Sequence, residues 1–175
     1  MIEAYVALGS NLGDRLGNLS IAVERLAREP AFFLRRISRA YETEPVGPPQ
    51  PRFLNAVVHL GTLVSPRATL QRLLDIENAM GRVHREKWGS REIDLDLLVY
   101  GDRVASGNVE LPHPRLHERS FVLAPLAELA PDLVHPGLQL TAAEMLALRP
   151  AAERAGVRAF RPIRRALPEP GDDDA

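Results

Sequence analysis

Cysteine is absent from all 175 residues. This excludes disulfides, thiolate metal sites and cysteine nucleophiles, and it fits a reducing compartment. No apolar run approaches the ~18 residues of a membrane span, and no signal-peptide pattern stands before Ile2. A soluble, cytoplasmic protein without membrane contact is expected. An excess of charge of one sign is also missing. The 22 basic and 23 acidic residues leave a net charge of −1, which argues against a generic nucleic-acid surface. Lysine occurs once, so 21 of the 22 basic residues are arginine; that suits bidentate phosphate contacts and equally well reflects composition bias. The usual phosphate loops are lacking. The turn Gly9-Ser10-Asn11-Leu12-Gly13 is not closed by Gly-Lys-Ser/Thr, and no G-x-G-x-x-G is present, so this turn reads as mainly structural.

The 45% hydrophobic content is enough for one well-buried core. A single domain over residues 1–160 is expected, followed at 161–175 by a flexible acidic tail that ends in PEPGDDDA. Residues 2–8 alternate as a strand, with Ala4, Val6 and Leu8 on one face. Asp14 can cap a helix whose Leu19, Ala22, Val23, Leu26 and Ala27 recur at helical spacing until Pro30. Residues 32–43 read as one long strand. Residues 44–51, EPVGPPQP, carry four prolines and form a stiff, extended stretch, either a connector or a wall facing a ligand. Residues 53–63 are a third strand. Ser65 and Pro66 then open a helix that Gly81 stops. Strand, helix, strand, strand, helix, strand is the split βαβ arrangement. The expected fold class is therefore α+β, with a ferredoxin-like βαββαβ core, an antiparallel sheet with helices on one face, and a C-terminal helical extension. That extension includes helices over 118–129, with Pro125 inside it, and 141–148, capped by Thr141 and Glu144.

The fourth strand lies in residues 87–100, KWGSREIDLDLLVY. Ile93, Leu95 and Leu97 alternate with Asp94 and Asp96, which puts both carboxylates on one strand face, ~6 to 7 Å apart at Cα. At an effective dielectric near 20, charges ~5 Å apart repel by roughly 3 kcal/mol, so the pair needs solvent, arginine or a divalent metal. Taken alone, Asp-Leu-Asp is most often the wet face of a half-buried strand. By parity, Phe53 and Asn55 can share the uncovered face of the sheet with the two acids.

The run Gly81-Arg82, Lys87-Trp88-Gly89-Ser90-Arg91 and Ile93-Asp94-Leu95-Asp96-Leu97-Leu98 resembles the signature of the 6-hydroxymethyl-7,8-dihydropterin pyrophosphokinase family of folate biosynthesis. Four further segments fall in that family's order: 7–13, 41–47, 53–56 and 111–122. The resemblance spans residues 5–136 and implies transfer of pyrophosphate from ATP to the pterin hydroxymethyl group, giving AMP. It further implies two Mg2+ ions on Asp94 and Asp96, with Arg82 and Arg91 neutralising the transferred group. Glu77, Lys87, Trp88, Leu97, His113 and Arg119 would hold the nucleotide. Phe53 and Phe121 would sandwich the pterin while Asn55, Thr43 and Val46 read its edge. Ser90, Lys87 and His84 depart from the common pattern, all within the loop before the aspartate strand. The implied partners are the two small-molecule substrates, without nucleic acid, and a monomer is expected. RNA-binding domains share the element order, but their Lys/Arg-Gly-Phe strand motif is missing.

Overall fold

The computed structural model describes residues 1–45, 47–81 and 92–165. Its first strand, β1 (Ile2–Ser10), is followed by α1 (Arg15–Arg28), β2 (Phe32–Ile37), β3 (Arg39–Thr43), β4 (Phe53–Thr62), α2 (Pro66–Ala79) and β5 (Asp94–Tyr100). A 3-10 turn at Leu116–Glu118 leads into α3 (Ser120–Leu129), α4 (Ala142–Ala147), α5 (Ala151–Ala155) and β6 (Arg158–Pro162). Among the described residues no helix is long and apolar enough to cross a membrane.

Local chemistry sets the helix ends where the sequence puts them. The Asp14 side chain accepts from the Gly17 N–H at 3.0 Å, and the Ser65 hydroxyl accepts from the Ala68 N–H at 3.2 Å ahead of Pro66. The capping box of Thr141 and Glu144 is complete. Gly81, at φ 79°, takes the left-handed turn that follows α2.

The described strands form one antiparallel sheet in the order β5-β1-β4-β3-β6, with β2 also on β4. Alternation assigns the faces. Ala4, Val6 and Leu8 of β1, Leu54, Ala56, Val58 and Leu60 of β4, and Leu95 and Leu97 of β5 meet α1 and α2 in the larger core. Tyr5, Ala7, Val57 and Val99 face the other way and pack under Leu123, Leu126 and Leu129 of α3, with Ala142 and Met145 of α4 behind them.

Three expectations are corrected. The single long strand over 32–43 is two strands, because Ser38 breaks it: its buried hydroxyl accepts the Val57 N–H at 2.9 Å, and its own N–H donates to the Val57 carbonyl. The sheet face opposite α1 and α2 is not wholly free, since α3 covers one end and leaves only the end bearing Asn55 and Asp94. The chain after Pro150, which shows no periodicity, forms α5 and then β6, whose Arg158 and Ala159 pair with Glu42 and Tyr41 of β3. All five residues of β6 are exposed, so no apolar alternation marks it. Beyond it Ile163 is buried in the larger core.

Candidate active site

Register places the chemistry. Gly9 of β1 stands opposite Asn55 on one side and Asp94 on the other, and Asn55 stands opposite Tyr41. One row across the sheet therefore reads Tyr41, Asn55, Gly9, Asp94. The row beside it, toward α3, reads Val57, Ala7, Asp96. With strands ~4.8 Å apart, Asn55 and Asp94 are separated by about 10 Å, and only a glycine lies between them. A Cβ on Gly9 would lie 3.1 Å from Asn55 Oδ1 and 3.7 Å from Phe53 Cδ1. The missing side chain is what makes this row a floor and not a ridge.

On the Asn55 side, buried Asn55 donates from Nδ2 to the Thr43 hydroxyl at 2.9 Å. Among the described residues this leaves the second N–H and the carbonyl oxygen of the amide for a ligand edge. Phe53 is half-buried beside it. The proline-rich stretch is held as a wall by Asn11, 1% exposed, which donates to Gln50 Oε1 at 2.8 Å and to the Pro51 carbonyl at 3.0 Å. Arg15 braces the same wall from below, donating to the Arg52 carbonyl and pairing with Glu42 at 2.9 Å. The hydrogen bond from Arg15 holds the Glu42 carboxyl below the usual range, against the opposing effect of burial.

On the other side Asp94 and Asp96 are half-buried, while Leu95 and Leu97 turn into the core. Arg119 Nη1 stands 4.0 Å from Asp96 Oδ2, and the guanidinium carbon lies 5.7 Å from the centre of the Phe121 ring. His113 follows the cis peptide Leu111–Pro112. Its backbone N–H donates to the Leu98 carbonyl at 2.8 Å, and its Nδ1 accepts the Arg115 N–H at 3.1 Å. Burial, then the Arg119 charge, depress its pKa to about 4, although Asp94 pulls upward. At neutral pH the ring is uncharged, and with Nδ1 accepting, its proton sits on Nε2 as a donor.

That arrangement sets a pH dependence. Between about pH 6.5 and 4 an unfolded chain takes up a proton at His113 that the folded chain refuses. The stability from this histidine is therefore full above about 6.5 and is lost as pH falls toward 4. Discounted for partial exposure it amounts to about 1 to 2 kcal/mol. His135 is depressed by its own burial in the same direction, so the informative quantity is a difference. Urea midpoints of the metal-free protein at pH 7.5 and 5 should fall further for wild type than for His113→Gln; equal falls would contradict the assignment.

The fold thus brings Thr43, Phe53, Asn55, Asp94, Asp96, His113, Arg119 and Phe121 to the uncovered end of one sheet face. It does not bring two others with them. Leu97 is a core residue on the opposite face, so only its backbone is available to a nucleotide. Glu77 is 2% exposed and accepts the Leu95 N–H. Val46, Arg82, Lys87, Trp88 and Arg91 lie outside the described residues, as do His84 and Ser90. A groove of about 510 Å³ beside α1, lined by Ser20, Glu24, Arg25 and Arg28 among others, carries none of the site chemistry. Gly9 and Asn11 were missed as site residues. The signal available for Gly9 was that Ala7 and Gly9 are the small residues on the odd face of the first strand.

Residues 5–131 match the model of the family described as 7,8-dihydro-6-hydroxymethylpterin-pyrophosphokinase (HPPK). The chain belongs to that family. Among its relatives, the 2-amino-4-hydroxy-6-hydroxymethyldihydropteridine pyrophosphokinase of Synechocystis sp. is 46% identical over 134 residues, covering 76% of this chain and 69% of the relative. The enzyme of the same name from Methylorubrum extorquens is 47% identical over 139 residues, covering 78% and 88%. The crystal structure of Plasmodium falciparum HPPK-DHPS wild type with SDX-DHP superposes with a TM-score of 0.65 at 16% identity, over 84% of this chain. This chain spans only 43% of that longer one, and the likeness there is one of fold. As an HPPK-family chain the protein is an enzyme, a pyrophosphokinase, and its α+β sheet is the family's.

Proposed function

We propose that this chain transfers the terminal two phosphates of ATP, as one group, to the hydroxymethyl oxygen of 6-hydroxymethyl-7,8-dihydropterin, a step of folate biosynthesis, with Asp94 and Asp96 holding two magnesium ions. The observation that carries the reading is the row Asn55, Gly9, Asp94. An amide that can both donate and accept stands at one end, acids that need cations stand at the other, and a flat floor about 10 Å long lies between. The acceptor oxygen bonds to the β-phosphorus, the bond from that phosphorus to the α-β bridging oxygen breaks, and AMP leaves with that oxygen; the hydroxyl proton passes to solvent.

What supports magnesium is the donor set. Two half-buried carboxylates on one face supply hard oxygens, and among the described residues no three acid or histidine side chains close a protein cage. That suits a cation that keeps its other positions for phosphate and water. When bound, magnesium would neutralise phosphate charge and bring donor and acceptor oxygens together. The chain's own groups do the rest. Asn55 and Thr43 fix the pterin edge, and Phe53 and Phe121 offer faces for stacking. His113 presents an Nε2 proton, and Arg119 presents a guanidinium, to the nucleotide phosphates. In this reading Arg82 and Arg91 stabilise the transferred group, while Lys87, Trp88 and Val46 complete the nucleotide and pterin contacts. A cytoplasmic monomer belongs to the same reading.

The test is the nucleotide product. With pterin, ATP and magnesium, AMP should appear in step with the pterin diphosphate, and removing the pterin should stop it. Accumulation of ADP would mean ordinary single-phosphate transfer and would overturn the proposal.

A further inference from the structure

Glu77 is the most deeply buried acid among the described residues, 2% exposed, on the last turn of α2. Burying a carboxyl group is costly unless it is hydrogen-bonded. Its Oε1 accepts the Leu95 N–H at 2.6 Å, and Leu95 is the residue between Asp94 and Asp96. On the described sheet β5 is an outer strand, paired with β1 along one edge only. In an antiparallel ladder successive N–H groups point alternately toward the partner strand and away from it. The Leu95 N–H points away, toward α2, where an edge strand has no neighbouring strand to accept it. Asp94 is also the first residue of β5, and strand ends on an edge are where a sheet frays most readily.

We infer that Glu77 is a positioning residue, which clasps the outer edge of β5 between Asp94 and Asp96 and so sets the spacing at which their carboxylates meet the metal. The inference rests on the metal reading above. Three constraints converge on the Asp94–Asp96 backbone: the β1 ladder on the inner edge, the buried Leu95 side chain below, and Glu77 on the outer edge. Magnesium tolerates little error in its ~2.0 to 2.1 Å octahedral shell, and groups that orient metal ligands typically govern 10- to 100-fold in affinity. Glu77 therefore acts on the metal without touching it.

The test compares Glu77→Leu, which keeps the bulk and removes the acceptor, with Glu77→Gln, which keeps an acceptor oxygen at the same reach. Two quantities other than turnover are read on the full chain. One is hydrogen exchange of the Leu95 amide; the other is Mn2+ affinity, by electron paramagnetic resonance with a non-hydrolysable ATP analogue. Glu77→Leu should speed exchange at Leu95 and weaken Mn2+ by about 10- to 100-fold, with pterin affinity within about twofold of wild type. Glu77→Gln should restore most of the Mn2+ affinity. Unchanged Mn2+ affinity in a folded Glu77→Leu chain overturns the inference and leaves the metal reading standing. If Glu77→Leu does not fold, Glu77→Asp, one methylene too short to reach Leu95, takes its place. Equal Mn2+ affinity in the Asp and Gln variants then overturns it. Wild-type Mn2+ affinity that is indifferent to Asp96→Ala removes the metal reading itself, and this inference with it.

Discussion

Asp96→Ala should abolish pyrophosphoryl transfer, lowering turnover by at least about 1,000-fold, while the protein stays folded. On the proposed reading Asp94 and Asp96 supply the protein's share of the metal site, and losing one removes half of it. Electrostatic groups aimed at charge in the transition state are worth about 100- to 1,000-fold each, and a metal-binding acid stands at or above the top of that range. The fold should tolerate the change for a local reason. Asp96 is half-buried on the sheet face, so truncation opens no core cavity, and it relieves repulsion from Asp94. The Arg119 contact, 4.0 Å long at a partly exposed position, is worth no more than about 1 kcal/mol. A melting temperature within a few degrees of wild type, with turnover lost, is the expected pair of measurements. Turnover near that of wild type would remove Asp96 from the metal site.

Gly9→Val should weaken pterin binding by about 100-fold or more and leave affinity for an ATP analogue within about threefold. A Cβ at residue 9 already comes to 3.1 Å from Asn55 Oδ1, and valine adds two methyl groups above the floor on which the proposed function lays the pterin ring. Two methyl groups in the space the ring would fill exclude it sterically, and about 100-fold in affinity corresponds to roughly 2.7 kcal/mol of lost contact and strain. Valine itself suits the position: Gly9 is not among the glycines held at positive φ, and β-branched residues favour strands. Calorimetry with each ligand separately checks the prediction. Gly9→Ala should fall between, because a methyl contact at 3.1 Å asks the Asn55 amide to shift by only a few tenths of an ångström. Undiminished pterin affinity in the valine variant would place the ring elsewhere.

Much of this site is legible along the chain because a strand has a period of two. Asp94 and Asp96 had to share a face once Leu95 and Leu97 went to the core, and the same parity put Phe53 with Asn55. The caps were legible too. Asp14, Ser65 and Thr141 sit one residue before their helices, and a side-chain oxygen there has only nearby N–H groups to satisfy. Other features carried no signal. Nothing local distinguishes Glu77 from an exposed glutamate on a helix flank, because its partner, Leu95, is 18 positions away. Strand β6 lacks alternation because both of its faces are exposed, and its pairing with β3 depends on where Tyr41 and Glu42 lie in space. Ser38 looks like any strand serine until Val57 supplies the N–H that turns it into a break.

By itself the sequence determined the order of strands and helices in the βαββαβ core, apart from the break at Ser38, the helix ends, the shared face of the two aspartates and the family, since each depends on neighbours in the chain or on motifs in register. Tertiary structure decided what lies across the sheet. It set Gly9 between Asn55 and Asp94, laid α3 over one end of the face, lowered the pKa of His113 by burial and closed Glu77 over the edge of β5. Each of these depends on residues far apart in sequence, brought together by strand register and layer packing, and none of the four can be read from the residues on either side.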